Sequence, residues 1–380
     1  MNIKIKNTPE QVALVKAMAS HDRNVALEAQ AAVATLMGPV LNEIINNAIS
    51  IGNLYETKSF DWDDNPSLPL DLFHDITDED YIEVHSVQSA GGLPYSQVFP
   101  AHNELKFSLY SLDAALAFDR KYAAKSRLDV VSKTFTRMAQ EVQLKQEKTA
   151  FNVLARALIA ADTKFSSAAA AAGNHAIGST TENVFQLDDL NRWITRTKRI
   201  NASFSTGTPT TGSKVGVTDI LVSPEMVEQL RSMSYNPVNV RAFPNTDEST
   251  AMPAPESLRE KLYSAAGLPS FYGINVIEIL ELGVGMRFNA IFGALDTGND
   301  IVGGGNTGTF DNTADELLLG IDRARGGLIR PTQRDEWSNS DFSVEVDSQF
   351  SNRQRKIGFY GSIQEGRVVV EDRALSACIV

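Results

Sequence analysis

Cysteine is nearly missing from this 380-residue chain: Cys378 is the only one. A single thiol excludes an internal disulfide and any cysteine-based metal site. Cys378 itself reads as a small apolar residue of a final strand. Positive charge is also scarce. The 35 Lys and Arg stand against 47 Asp and Glu, a net charge of −12. Such a chain gains nothing from counterion release on DNA or RNA, and the same charge opposes adhesion to an anionic membrane. No apolar run reaches the ~18–20 residues that would span a bilayer. Met1–Lys6 is basic but lacks the apolar stretch of a secretory signal. No internal repeat is visible. With 43% hydrophobic and 22% charged residues, the chain can bury a sizeable core, and its length predicts two or three lobes.

Catalytic signatures are missing too. There is no P-loop lysine motif and no G-x-S-x-G elbow. Of the five histidines (His21, His74, His85, His102 and His175), no two lie at i, i+4, and none sits beside a carboxylate at zinc spacing. A triad assembled from distant segments stays open, but the first four histidines fall in segments that give poor rigid support. The acidic run Asp61, Asp63, Asp64, Asp75, Asp78, Glu79 and Asp80 lacks the alternation and mid-loop glycine of a calcium loop and reads as solvated surface. Gly303–Gly308 matches G-x-G-x-x-G, yet neither a strand before it nor a helix after it is suggested, so a flexible surface loop is expected. Arg353-Gln354-Arg355-Lys356 reads as a solvated strand end or an inter-subunit ion pair. No catalytic, cofactor-binding or metal-ligating residue is assigned.

What is present is patterned structure. Thr8-Pro9-Glu10-Gln11 has the form of a helix start. A second helix is expected from about Asp22, with a stripe of Leu27, Ala31, Leu36, Val40, Ile44 and Ile45, kinked or split at Gly38-Pro39. This opening reads as an arm that docks on something else. Residues 56–80 form an irregular connector. Tyr81–Gln88 and the alternating Leu105, Phe107 and Leu109 flank Gly91-Gly92-Leu93-Pro94, which suggests an extended hairpin. Between Pro100 and Gly173 there is no Gly or Pro, where the chain average of 25 Gly and 14 Pro in 380 would give about seven. Within that stretch, Leu128, Val131, Phe135, Met138, Val142, Phe151, Leu154 and Leu158 recur at three- and four-residue steps. They predict a helix over 126–161, ~54 Å long, with its centre at Lys145 and Glu147-Lys148 more solvated. A low-complexity boundary at 163–184 precedes a mixed α/β region. There Leu187–Ile200 is a helix capped near Asp188. Asp219–Val222 is a buried strand, ending at Ser223, which caps a helix beginning at Pro224. A helix near 257–266 and strands at Asn275–Leu280 and Arg287–Leu295 follow, then a polar loop over 296–316. The end of the chain, with Phe342–Phe350, Lys356–Ile363, Arg367–Val370 and Ala374–Val380, reads as a small antiparallel sheet that the long helix covers.

This order of elements resembles the tailed-bacteriophage major capsid proteins of the Hong Kong ninety-seven type. The resemblance is carried by Asp219–Met226, a strand-then-helix entry, and by the closing run Gln349-Phe350-Ser351, Lys356–Gly361 and Asp372-Arg373-Ala374-Leu375. The resemblance implies an α+β fold with an N-arm (1–55) and a connector with extended loop (56–125). A spine helix with a boundary (126–184) follows, then a mixed α/β axial domain (185–335) and a return to the peripheral sheet (336–380). It implies a structural, non-enzymatic head protein. Its partners would be itself, as hexamers and pentamers, a separate scaffolding protein, a portal, and a cement or decoration protein. The shell would enclose double-stranded DNA without sequence-specific binding, in a virion assembled in the host cytoplasm and without contact with a membrane. Neither cleavage of this chain nor a Lys–Asn crosslink is expected: Lys106, Lys121 and Lys125 lie near the hairpin, but no partner Asn or catalytic Glu is identified. The alternatives are an encapsulin-type nanocompartment, a cytosolic α/β enzyme with a dispersed site, and a tail or decoration protein.

Overall fold

The computed structural model describes residues 8–48, 51–69, 104–166, 175–200, 216–235, 270–271, 273–297, 301–306, 308–336, 340–347 and 355–380. In chain order the elements are α1 (Pro9–Ala17), α2 (Arg23–Ala48), β1 (Glu56–Phe60), β2 (Ser67–Pro69), β3 (Glu104–Lys106), β4 (Tyr110–Asp119), α3 (Arg120–Ala124), α4 (Leu128–Ser166), β5 (Ala176–Gly178), α5 (Leu187–Ile200), β6 (Asp219–Val222), α6 (Pro224–Tyr235), β7 (Ser270–Phe271), β8 (Ile274–Glu278), α7 (Arg287–Asp296), β9 (Leu317–Ile321), β10 (Leu328–Gln333), β11 (Phe342–Asp347), β12 (Lys356–Glu365), β13 (Val368–Val369) and β14 (Leu375–Ile379). The chain is an α+β protein of two compact units. The first comprises Met1–Leu68, Leu105–Ala150 and Ile329–Val368; the second comprises Pro69–Glu104, Phe151–Leu328 and Val369–Val380. The first strand and turn of the expected hairpin, Tyr81–Gln88 and Gly91–Pro94, and the helix near 257–266 lie outside the described residues; of its second strand, Glu104–Lys106 is β3, which pairs with β2.

In the first unit, β12 is the central strand. It pairs antiparallel with β4 along ten residues, from Lys356↔Asp119 to Glu365↔Tyr110. On its other side it pairs with β11, from Phe342↔Ile363 to Asp347↔Gly358. The end of β12 meets β10 at Thr332↔Glu365 and Gln333↔Gln364, and β1 runs parallel to β10. Alternation puts Ile357, Phe359 and Ile363 on one face, buried with Val131, Phe135, Met138 and Val142 of α4 in a single core. The Phe135 and Phe359 rings lie 5.2 Å apart. Each such fully buried side chain contributes about 1.5–3 kcal/mol. Gly361 shares that face, where a Cβ would fall 2.7 Å from the Phe342 ring of β11 and would also run into the end of Met138 from α4, so the packing there favours glycine.

The opening helices differ from expectation in two ways. Thr8 does cap α1, accepting from the Gln11 amide at 3.4 Å. However, α2 continues through Pro39 without a break. Its buried stripe is also the i, i+4 row Ala29, Val33, Met37, Leu41 and Ile45, which packs into the same core as α4. Leu36 and Val40, expected in the stripe, are 58% and 39% exposed. The two rows are equally apolar, so composition could not say which one faces inward. Arg23–Ile45 also has the length and composition to cross a membrane, against the expectation that no segment does. Its inward row is a core stripe.

In the second unit the sheet order is β5-β14-β9-β6-β8-β7. The central strands are buried at every position: β6, β9 and β14 have no exposed residue, the pattern of a sheet covered on both faces. On one face α5 and α6 supply Leu190, Trp193, Met226, Val227 and Leu230 to a core with Ile220, Val222, Leu318 and Cys378. The Trp193 indole donates to Ser376 Oγ at 3.0 Å. Gly320 lies under that ring; a Cβ there would be 2.6 Å from Trp193 Cζ2. Phe151 stacks on Phe288 with centroids 4.2 Å apart.

Two strand readings are corrected. Arg287–Leu295 is helical, because its buried residues Phe288, Asn289, Phe292 and Asp296 follow the four-residue period despite β-favouring side chains. And β14 does not join the sheet of β11 and β12. It sits between β5 and β9, since Leu375-Ser376-Ala377-Cys378-Ile379 suits a two-sided interior rather than a one-sided alternating sheet.

Candidate assembly surfaces

The first unit holds a buried charge cluster that no local motif announced. Glu365, at the end of β12, is fully buried. Its Oε2 accepts from Arg330 Nε at 2.9 Å and Gln146 Nε2 at 3.0 Å, and its Oε1 accepts from the Tyr110 hydroxyl at 3.2 Å. Arg330 Nη2 lies 2.8 Å and Arg367 Nη2 3.5 Å from Oε2. The Arg367 guanidinium lies over the Tyr55 ring, 5.0 Å from its centroid, and Tyr55 donates to the Ala150 carbonyl at 2.9 Å. Burial, then the Glu365 charge, pushes the Tyr110 hydroxyl up to about 12. Burial pulls Arg330 below the ordinary guanidinium range. The centre of α4, expected to be more solvated, is so at Leu144 and Lys145, which are exposed, but its other side is packed: Gln146 is fully buried, and the Glu147 carboxylate accepts from the Ile51 amide at 3.1 Å. The cluster ties together β4, α4, β10 and β12.

The second unit has a comparable lock. Ser223 caps α6 as expected, its Oγ accepting from the Met226 amide at 3.2 Å. The same hydroxyl donates to Glu316 Oε2 at 2.9 Å, and the Val284 amide donates to Oε1 at 3.2 Å. Burial raises the pKa of Glu316, and the Ser223 hydrogen bond opposes that rise. Because the pKa is raised on folding, the folded state holds the extra proton above the ordinary carboxylate range, and stability falls as pH rises through that window. Removing Ser223 raises the pKa further. Ser223→Ala is therefore expected to cost about 1–3 kcal/mol, with a larger loss at neutral pH, where the buried carboxylate is charged, than at acid pH. Urea melts at both pH values check this; an equal loss at both would mean that Glu316 is not involved.

The remaining sequence candidates are dispersed. The first half of the Gly-rich stretch, Gly303–Gly305, is anchored where a flexible loop was expected. The Gly304 amide donates to Asp315 Oδ1 at 3.3 Å and the Gly305 amide to Ser179 Oγ at 3.1 Å. A Cβ on Gly304 would meet the Val380 backbone at 2.8 Å. It is a packed turn, which the composition of a Gly-rich stretch does not reveal. His175 is buried with Nδ1 2.7 Å from the Leu375 carbonyl oxygen, and His21 is exposed; His74, His85 and His102 lie outside the described residues. Asp61, Asp63 and Asp64 are exposed. Lys106 and Lys125 are exposed, and Lys121 pairs with Asp119 at 2.9 Å. Arg355 is exposed at the entry to β12. Burial also pushes the Cys378 thiol up.

A half-open hollow of about 400 Å³ in the first unit is walled by Trp62, Arg334, Asp335, Glu336, Asp341 and Glu345. The outer face of α2 presents Val25, Leu36 and Val40, with Ala31, Ala32 and Pro39 also exposed. In the second unit, the turn after β8 exposes Leu280 (76%), Val284 and Met286. That turn is stiff: the amides of Gly283, Val284 and Gly285 donate to Asn289 Oδ1, Glu316 Oε1 and the Asn312 carbonyl.

No protein-family model and no curated protein matches the chain. Among solved structures it is similar to the capsid of the cyanophage P-SCSP1u, at 12% identity over 87% of this chain and 88% of that one, with a TM-score of 0.49. It is similar to the capsid of a native GTA particle, at 12% identity over 87% and 90% and a TM-score of 0.47. It is also similar to the holo-SrpI encapsulin complex from Synechococcus elongatus, at 10% identity over 73% and 75% and a TM-score of 0.39.

Proposed function

We propose that this chain is a structural shell protein: copies of it assemble as hexamers and pentamers into an icosahedral head around double-stranded DNA. The observation that carries the reading is the division of labour between interior and surface. The buried polar groups described above lock strands and helices together, while large apolar side chains on stiff elements, Leu36 and Val40 on α2 and Leu280, Val284 and Met286 after β8, are left facing water. A chain that exposes such groups in a fixed geometry gains by covering them with neighbours. Many modest contacts then sum through multivalency. The net charge of −12 suits enclosing DNA behind a wall better than gripping it. On this reading the N-arm lies within 1–55, the connector and extended loop within 56–125, and α4 is the spine; the second unit's sheet, which β14 joins, belongs to the axial domain, and the first unit's sheet of β1, β10, β11 and β12 to the peripheral domain. A scaffolding protein, a portal and a cement or decoration protein are its partners, the virion is its destination after assembly in the host cytoplasm, and it performs no catalysis.

Negative-stain electron microscopy of the purified chain, alone and co-expressed with a scaffold, tests the proposal. Closed icosahedral particles, or hexamers that close with the scaffold, are expected. Particles filled with a protein cargo instead of DNA would favour a nanocompartment. A uniform small oligomer under every condition would overturn the shell reading.

A further inference from the structure

The first unit carries opposite charge on its two sides. One face of its sheet packs on α4, where Ile357, Phe359 and Ile363 share a core with Val131, Phe135, Met138 and Val142. The other face of the same strands is acidic. Asp113 of β4 stands in register with Ser362, and Glu345 and Asp347 of β11 with Tyr360 and Gly358. Asp335, Glu336 and Asp341 wall the hollow beside Glu345. Lys356, in register with Asp119, and Arg334, 3.5 Å from Asp61, offset part of that charge. The helix side is the reverse. Residues 120–148 hold eight Lys and Arg against three Asp and Glu, in a chain of net charge −12. On α4 the positions opposite the core stripe are Lys133, Arg137, Gln140, Leu144 and Lys148, at three- and four-residue steps. The first four are exposed and Lys148 is partly so. Lys145 is exposed on the flank, and Lys125 and Arg127 are exposed just before the helix. Asp129 and Glu141 are the exposed acids among them, and Glu147 is engaged by the Ile51 amide.

We infer that this row of α4 binds the phosphate backbone of DNA, so that the helix faces the enclosed duplex and the acidic strand face looks away from it. The shell reading supplies the DNA, and the inference rests on it for that partner. From Lys133 to Lys148 the row is ~22 Å long, and over that length each strand of a duplex presents about six phosphates. Lys and Arg on long stems contact phosphates without reading bases, as enclosing any sequence requires. The net charge of the chain hides this face but does not cancel it. A helix is ~10–12 Å across and the Debye length is ~10 Å at 0.1 M salt, so a phosphate at the helix surface is screened from carboxylates beyond the sheet. The rival reading pairs the row with the acidic strand face of a second copy. That would stack copies face on face, whereas a shell one layer thick joins them at their edges.

Fluorescence anisotropy of a short labelled duplex DNA with the unassembled chain, cleared of particles by sedimentation, tests this. Four phosphates neutralised by Lys133, Arg137, Lys145 and Lys148 give a slope of about −3.6 for log K against log salt, a loss of about 150-fold between roughly 50 and 200 mM. Lys133→Gln with Arg137→Gln is expected to flatten the slope by about 1.8 and to weaken binding at low salt at least tenfold. Both positions are exposed and glutamine is a comparable helix former, so the melting temperature should hold. Glu336→Gln with Glu345→Gln, on the acidic side, should leave affinity within about twofold. Equal and opposite effects of the two double variants would mean that binding follows net charge alone, and would overturn the inference. So would no binding, or an unchanged slope in the helix variant. If that variant stops particles from forming while duplex affinity holds, the row is a contact between copies and the inference also fails. Microscopy with a scaffold added separates the two readings. Closed shells without α4-dependent binding keep the shell and remove this contact, whereas α4-dependent binding by a chain that never closes removes the shell and keeps the contact.

Discussion

Glu365→Ala is expected to destabilise the first unit by about 3–5 kcal/mol, because it leaves two buried guanidiniums without their carboxylate. Arg330 and Arg367 side chains are 5% and 0% exposed, so neither can turn to water without opening the sheet. Gln146 and Tyr110 lose an acceptor at the same time. Calorimetry or urea unfolding reads the effect. A loss below about 1 kcal/mol would mean that water reaches the cluster, the behaviour of exposed pairs. Replacing Glu365 with leucine and Arg330 with methionine together should be milder than the sum of the singles, since removing both charges avoids the isolated one. The alkaline limb follows from Tyr110. Its pKa is raised from 10.0 to about 12 in the fold, so the folded state binds the extra proton, and stability falls as pH rises through that interval. Without Glu365 that fall shrinks, because one source of the rise is gone.

The second large effect belongs to Trp193. It is 1% exposed, and Trp193→Ala is expected to cost about 3–5 kcal/mol through the cavity it leaves, with the further loss of the indole donor to Ser376. The reverse insult, Gly320→Ala, drives a methyl group into the same ring and should cost about 1–3 kcal/mol. The two sites are in contact, so their effects should not add: in a Trp193→Phe background, with a smaller ring above it, Gly320→Ala should be cheaper than in the native chain. Additive losses would show that the ring is not the obstacle. Both variants act within the second unit's core, and Glu365→Ala within the first unit's cluster.

The long helix was the most legible feature because an absence marks it: the stretch without Gly or Pro contains α4, expected over 126–161 and found at Leu128–Ser166. The Asp219–Val222 strand and its Ser223-Pro224 exit were equally clear, since cap chemistry is local. What failed was whatever depends on a distant partner. Leu36 and Val40 on α2 could not be sorted from Met37 and Leu41 by apolarity alone, because the row facing inward is chosen by packing against the sheet core. The apolar content of Arg287–Asp296 suited a strand until its burial showed a helical period. The charge cluster draws Tyr55, Tyr110, Gln146, Arg330, Glu365 and Arg367 from five separate segments, and no spacing rule joins them. The one local hint was Glu365-Gly366-Arg367, two opposite charges around a glycine in an otherwise strand-rich ending.

The order in which the two sheets' strands are synthesised has a consequence of its own. Strand β12 pairs with β4, β10 and β11, and β14 with β5 and β9; every partner precedes it in the chain. A ribosome therefore makes both keystones last. Until residue 365 has emerged, β4 and β11 have nothing between them, and until residue 379 has emerged β5 and β9 stand apart. Contacts of such long sequence separation close slowly, and the waiting strands expose unpaired edges meanwhile. Newly made chains thus pass through an interval in which they can pair wrongly with one another, and a cell producing many copies at once has to keep them apart until the last strands are in place.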